Sequence, residues 1–186
     1  MNRLMGIAVL MVVGGCATQM TIEPKNVGEA TAILRLEAPG LAGYVTIPLI
    51  SSKVVDVTLS EFSGCLDGTS KGAQLSPLGK VTLTPKIRTQ SMPVPAGVEL
   101  AIYAESAENV LGGMYRCGRA VRFKSELGAT YVLKFSPHGL MHRKVCQMEI
   151  LAVQSGTQTP VASAHYTVMH WHGYLKGGDL NLCKDE

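Results

Sequence analysis

Residues 119–136 read RAVRFKSELGATYVLKFS, and this stretch decides the fold class. Val121 and Phe123 alternate with Arg122 and Lys124; after Glu126-Leu127-Gly128, the residues Tyr131, Leu133 and Phe135 alternate with Val132, Lys134 and Ser136. A period of two places one set of side chains on each face of an extended chain, the signature of half-buried strands. A Gly-containing turn between two such runs predicts a hairpin over Arg119–Lys124 and Thr130–Ser136.

The same period extends outward in both directions. Leu34 and Leu36 share a face in Ala30–Glu37; Val55, Val57 and Leu59 do so in Val54–Ser60, and Val98, Leu100 and Ile102 in Val98–Ala104. Tyr44–Ile50 reads as an edge strand or a bulge, because Pro48 lacks the N–H of a central ladder. Lys80–Thr84 is a short strand, Lys144–Val153 a long one, and Val161–His172 the last. Gly64–Pro77, rich in Gly and Ser, reads as a loop, Pro93–Gly97 and Ser155–Pro160 as turns, and Ser106–Gly113 as a short helical turn. About nine strands with Gly/Pro turns, and no sustained 3.6 period, predict a single antiparallel β-sandwich over residues 30–186. In outline the half from Ala96 resembles small exported sandwiches of immunoglobulin-like or transthyretin-like arrangement, in which a cysteine before a hairpin is stapled into the following strand. That resemblance concerns architecture and implies no activity.

The N-terminal end carries a different signal. Arg3 precedes the apolar run Leu4–Val13, which Gly14-Gly15 ends well short of the about twenty residues a membrane-spanning helix needs. Val13-Gly14-Gly15-Cys16 resembles the lipobox of bacterial lipoprotein precursors. The resemblance covers residues 1–16 and departs mildly from the commonest form, which has Leu at position 13 and Ser or Ala at position 14. It implies a signal peptide over 1–15, a diacylglyceryl group (with palmitate-type acylation of the new amine) on Cys16, and a tether over 16–29. Ala17, where an Asp favours inner-membrane retention, implies the outer membrane, with the domain facing the periplasm.

Composition sets outer bounds. Removing fifteen residues leaves about 170, enough for one domain with a real core. Lys and Arg number 17 against 14 Asp and Glu, and so small a surplus is no nucleic-acid footprint. Charged residues make up 17%, below the quarter usual for soluble domains. Apart from Cys16 there are four cysteines, Cys65, Cys117, Cys146 and Cys183. An even number in an exported chain implies two disulfides, with three possible connectivities. The expected pairing is Cys117–Cys146, closing a loop of about thirty residues, and Cys65–Cys183, tying the tail to the first half.

Two constellations could carry chemistry. The histidines fall late: His138, His142, His165, His170 and His172. His170 and His172, two apart on an expected strand, share a face, and with His138 or His142 they could ligate Cu, Zn or Ni, Met141 tilting the choice toward copper. The simpler reading is a polar rim around Trp171. Arg116, Arg119, Arg122 and Lys124, with Arg143 and Lys144 nearby, form a basic cluster that could hold phosphate or an acidic glycan, or else simply be the solvated faces of strands. No nucleophile elbow, metalloprotease helix, phosphate loop or dinucleotide fingerprint occurs. Two disulfides would leave no thiol for Cys–His chemistry. The expectation is a non-enzymatic outer-membrane lipoprotein without a cofactor, binding another envelope protein or the wall. A periplasmic metal-binding protein and an inhibitor of an envelope-attacking enzyme are the alternatives.

Overall fold

The structure is a computed structural model; it describes residues 31–42, 44, 51–65, 73–110, 113–138, 145–168, 170–171, 178–179 and 182–183. The described residues form twelve strands: β1 (Thr31–Glu37), β2 (Ser51–Cys65), β3 (Ala73–Leu83), β4 (Thr89–Pro95), β5 (Glu99–Val110), β6 (Gly113–Lys124), β7 (Thr130–His138), β8 (Val145–Gln154), β9 (Thr157–Pro160), β10 (His165–Val168), β11 (His170–Trp171) and β12 (Gly178–Asp179). One sheet has the order β4-β1-β7-β8-β9 and the other β10-β6-β5-β2-β3, while β11 and β12 pair separately. The two large sheets form the expected sandwich. All pairings are antiparallel except β1–β7, which is parallel. An immunoglobulin order would put the first, second, fourth and fifth strands together. Here β1 and β4 lie with β7 and β8, and β2 with β5, so the order is not the immunoglobulin one.

Alternation places the core between the sheets. Leu34, Leu36, Val55, Val57, Leu100, Ile102, Val121, Phe123, Leu133, Phe135 and Ile150 are all buried, each worth about 1.5–3 kcal/mol relative to exposure. Cys117 of β6 and Cys146 of β8 join the two sheets through this core. Cys65 at the end of β2 is bonded to Cys183. Beside that bond Leu182 is buried with Phe62, Ala101 and Ala120 in a second, smaller cluster.

Several expectations are corrected. First, β6 and β7 are not a hairpin: they lie in different sheets, so Phe123 and Tyr131 meet across the core at a centroid distance of 4.9 Å. The link Ser125–Ala129 crosses from sheet to sheet beside the β4–β5 link, which crosses the other way. Ser125 ties them: its N–H donates to Val98 O (3.0 Å), its carbonyl accepts Gly97 N–H (2.8 Å), and its hydroxyl donates to Pro95 O (2.7 Å). Second, part of the expected Gly64–Pro77 loop is strand: β3 begins at Ala73 and pairs with the far end of β2 through two register shifts. Third, Ser106–Val110 continues β5 rather than forming a helical turn, and Gly113 opens β6. Pro93 and Pro95 likewise sit in a strand, β4, where the sheet's edge tolerates them. The expected last strand is divided between β10 and β11. Tyr44 is described outside any strand; residues 45–50 fall outside the described residues, as do 1–30.

Candidate functional site

The chain opens one side of the sandwich along β8. That strand is paired along its length with β7, but β9 matches only Leu151–Gln154 on the other side. After Pro160 the chain turns, with Ala164 N–H donating to Val161 O (3.1 Å). It then changes sheets, β10 pairing with Arg119–Arg122 of β6. The switch leaves a cleft of about 590 Å³ between the Val145–Glu149 stretch and the wall carrying Arg119 and Tyr166, with Lys134 also on its lining. Cys117–Cys146 pins the two walls together.

Backbone polarity of the cleft follows from strand alternation. Ile150 faces this side: its carbonyl accepts Val161 N–H at 3.1 Å and its N–H donates to Tyr166 Oη at 3.0 Å. Backbone groups of an antiparallel strand turn alternately to one neighbour and the other. Met148 and Cys146 therefore also present their N–H and C=O to the cleft, whereas Glu149, Gln147 and Val145 face β7. Among the described residues no strand pairs with Val145–Glu149 on the cleft side.

The basic cluster divides between two faces. Arg116 and Arg122 lie on the outer face of their sheet, where Arg116 Nη1 is 3.5 Å from Glu105 and Arg122 Nη1 3.3 Å from Glu99. Arg122 also stacks over the Phe62 ring at 4.7 Å. Lys124 is exposed on the same face. Arg119, at an odd position with Cys117 and Val121, points the other way and lines the cleft. The four thus do not converge on one anion, and Arg143 and Lys144 lie outside the described residues.

Of the histidines, His138 ends β7 in an exposed position and His165 begins β10, also exposed. His170 pairs through its backbone with Asp179; His142 and His172, like Cys16, fall outside the described residues. Among the described residues no group of three or more His, Cys, Asp or Glu is placed to hold a metal ion.

One polar network was not anticipated from the sequence. Tyr103 on the outer face donates to Glu105 Oε2 at 2.9 Å, and Glu105 meets Arg116. Burial, then the Glu105 carboxylate, raises the Tyr103 phenol well above its ordinary value. Gly118 makes room for it: a Cβ there would stand 2.8 Å from Tyr103 Oη and 3.0 Å from Cε2. The lone glycine inside an otherwise alternating run was the available signal. The network braces β5 against β6 and shows no arrangement of nucleophile, base and orienting group.

Among the described residues, no helix is long and apolar enough to cross a membrane. Neither known protein families, nor characterised proteins, nor solved structures yield a match to this chain.

Proposed function

We propose that this chain is a lipid-anchored protein of the bacterial outer membrane, whose sandwich faces the periplasm and works by binding another envelope component rather than by catalysis. The observation that carries this reading is Val13-Gly14-Gly15-Cys16, set directly behind a short apolar run with Arg3 ahead of it. Two or more acyl chains on one residue hold a protein stably at a bilayer, whereas one does so only marginally. The disulfides support the reading, because such bonds persist in oxidising compartments. With Cys65, Cys117, Cys146 and Cys183 all bonded, Cys16 is the single cysteine left for modification. The side cleft along β8 supports a binding role, since it joins backbone groups, an apolar edge and a few charged side chains without a catalytic set.

The test is Cys16→Ser expressed beside the wild type in cells fed labelled palmitate. The wild type carries label and sediments with outer membranes; the variant carries none and is lost from the outer-membrane fraction. A wild-type chain without label whose Cys16→Ser variant still sediments with outer membranes overturns the anchor.

A further inference from the structure

We propose that the Val145–Glu149 edge of β8 is a docking site for an extended segment of a second polypeptide, which adds to the sheet as a further strand and sets an acidic side chain beside Arg119. The inference deepens the binding role above and rests on it. Strand addition uses main-chain hydrogen bonds for affinity and flanking side chains for specificity. Both are present. Met148 and Cys146 turn their backbone groups toward the cleft, and the five residues span roughly 17 Å at about 3.4 Å per residue.

The β3, β4 and β9 edges differ from this one. Proteins blunt exposed edges with prolines, bulges and short strands. The edge strand β4 carries Pro93 and Pro95; β3 carries Pro77 and pairs through two register shifts; β9 has four residues and ends in Pro160. Val145–Glu149 has no proline, no register shift against β7, and an apolar side chain, Val145, 58% exposed. It is also recessed behind the wall bearing Tyr166.

Charge and recess select the occupant. The core side of the cleft carries the cation Arg119; on the outer face Lys134, which donates to Gln158 Oε1 at 2.7 Å, stands opposite Glu149 in the β7–β8 ladder. A second copy pairing β8 to β8 about a two-fold axis would bring the two Arg119 side chains together and drive each copy's β10 wall toward the other. A single extended chain with an acidic residue meets neither obstacle.

The experiment uses the full chain, purified oxidised, against a phage-displayed library of random ten-residue peptides. Selected peptides are expected to carry an Asp or Glu in an alternating context. At saturation they slow hydrogen exchange of the Met148 and Cys146 amides at least tenfold. Methylating every second backbone nitrogen of the peptide abolishes binding in one register and is tolerated in the other, which side-chain docking alone would not produce. Arg119→Ala weakens binding about tenfold; Val145→Glu, at an exposed position, weakens it by repelling the acidic peptide without disturbing the fold. The proposal is overturned if no peptide is selected, if protection falls on other amides, or if both methylated registers bind alike. Protection of these two amides that grows with protein concentration and needs no peptide overturns it in favour of a second copy. None of these outcomes alters the palmitate result, so failure of the docking edge and failure of the anchor are read separately.

Discussion

The two disulfides should contribute very differently to stability, in the opposite order to their loop lengths. The Cys117–Cys146 bond spans 29 residues and Cys65–Cys183 spans 118, with the first nested inside the second. Chain entropy alone assigns the inner bond about 3.5 kcal/mol and the outer about 4.5 kcal/mol, the nested link shortening the outer loop. That value is realised only if the native state stays ordered when the bond is removed. Cys117 and Cys146 lie on strands buried in the main core, which hold their places without the bond. Cys183 is held at the surface of the second cluster, where Leu182 supplies a buried apolar side chain, the one buried among the described residues of the tail. Burying Leu182 contributes about 2 kcal/mol, while ordering even four tail residues costs roughly 4–8 kcal/mol. Without its bond the tail therefore undocks, the native state gains that freedom, and most of the loop contribution cancels. Cys117→Ala with Cys146→Ala should cost about 3.5 kcal/mol, lowering Tm by roughly 10 °C for a domain of this size. Cys65→Ala with Cys183→Ala should cost no more than about 2 kcal/mol by the same balance. Its loss of hydrogen-exchange protection should be confined to Phe62, Ala101, Ala120 and their neighbours. Urea unfolding and exchange of both double variants give the answer. An outer-bond variant less stable than the inner-bond variant would refute the reasoning.

Three further outcomes follow from local geometry. Ser125→Ala removes the hydroxyl that joins the two crossovers and should cost about 1–2 kcal/mol; urea unfolding checks it, and a change below about 0.3 kcal/mol would show that the backbone bonds alone suffice. Gly118→Ala should destabilise by about 1–2 kcal/mol because its methyl displaces Tyr103, and most of that cost should vanish in the Tyr103→Ala background of a double-mutant cycle. Additive costs would place the strain elsewhere. Tyr103 has a raised pKa in the folded chain, with burial the largest cause and Glu105 next; burial also raises Tyr131. The folded state thus favours the neutral phenols. Their contribution is complete below pH about 10, the unfolded value, and declines as pH rises beyond it. Urea titrations at pH 9 and 10.5 should show that loss, reduced in Tyr103→Phe; an unchanged slope would contradict the assignment.

What could be read from the sequence was the part with one wet face and one dry face. Val54–Ser60 and Val98–Ala104 showed a clean alternation because they cross the core; the first lies within β2, and the second falls in β5 from Glu99 onward. The extensions of those strands were illegible for the same reason. Gln74, Leu75, Ser76 and Pro77 of β3 are exposed, so no buried set marks the period and Gly/Ser composition reads as loop. The β6–β7 relation failed differently: a short Gly turn between two alternating runs is equally compatible with a hairpin and with a crossover between sheets. The choice was made by Ser125 and its contacts to Pro95 and Val98, thirty and twenty-seven residues away. Both disulfide pairs were legible. The cleft was not, since it arises where β9 ends short and the chain changes sheets, a property of pairing length rather than of any motif. Arg119 was singled out with its neighbours, but register put it on the face opposite Arg116 and Arg122.

The most direct test of the central claim is the intact mass of the mature N-terminal peptide from protein extracted with detergent. Lipidation predicts that the chain begins at Cys16, with a diacylglyceryl group on the sulfur and usually a further acyl group on the new amine. A mature chain that begins elsewhere, or a Cys16 of unmodified mass, would contradict it and leave a sandwich with no membrane anchor.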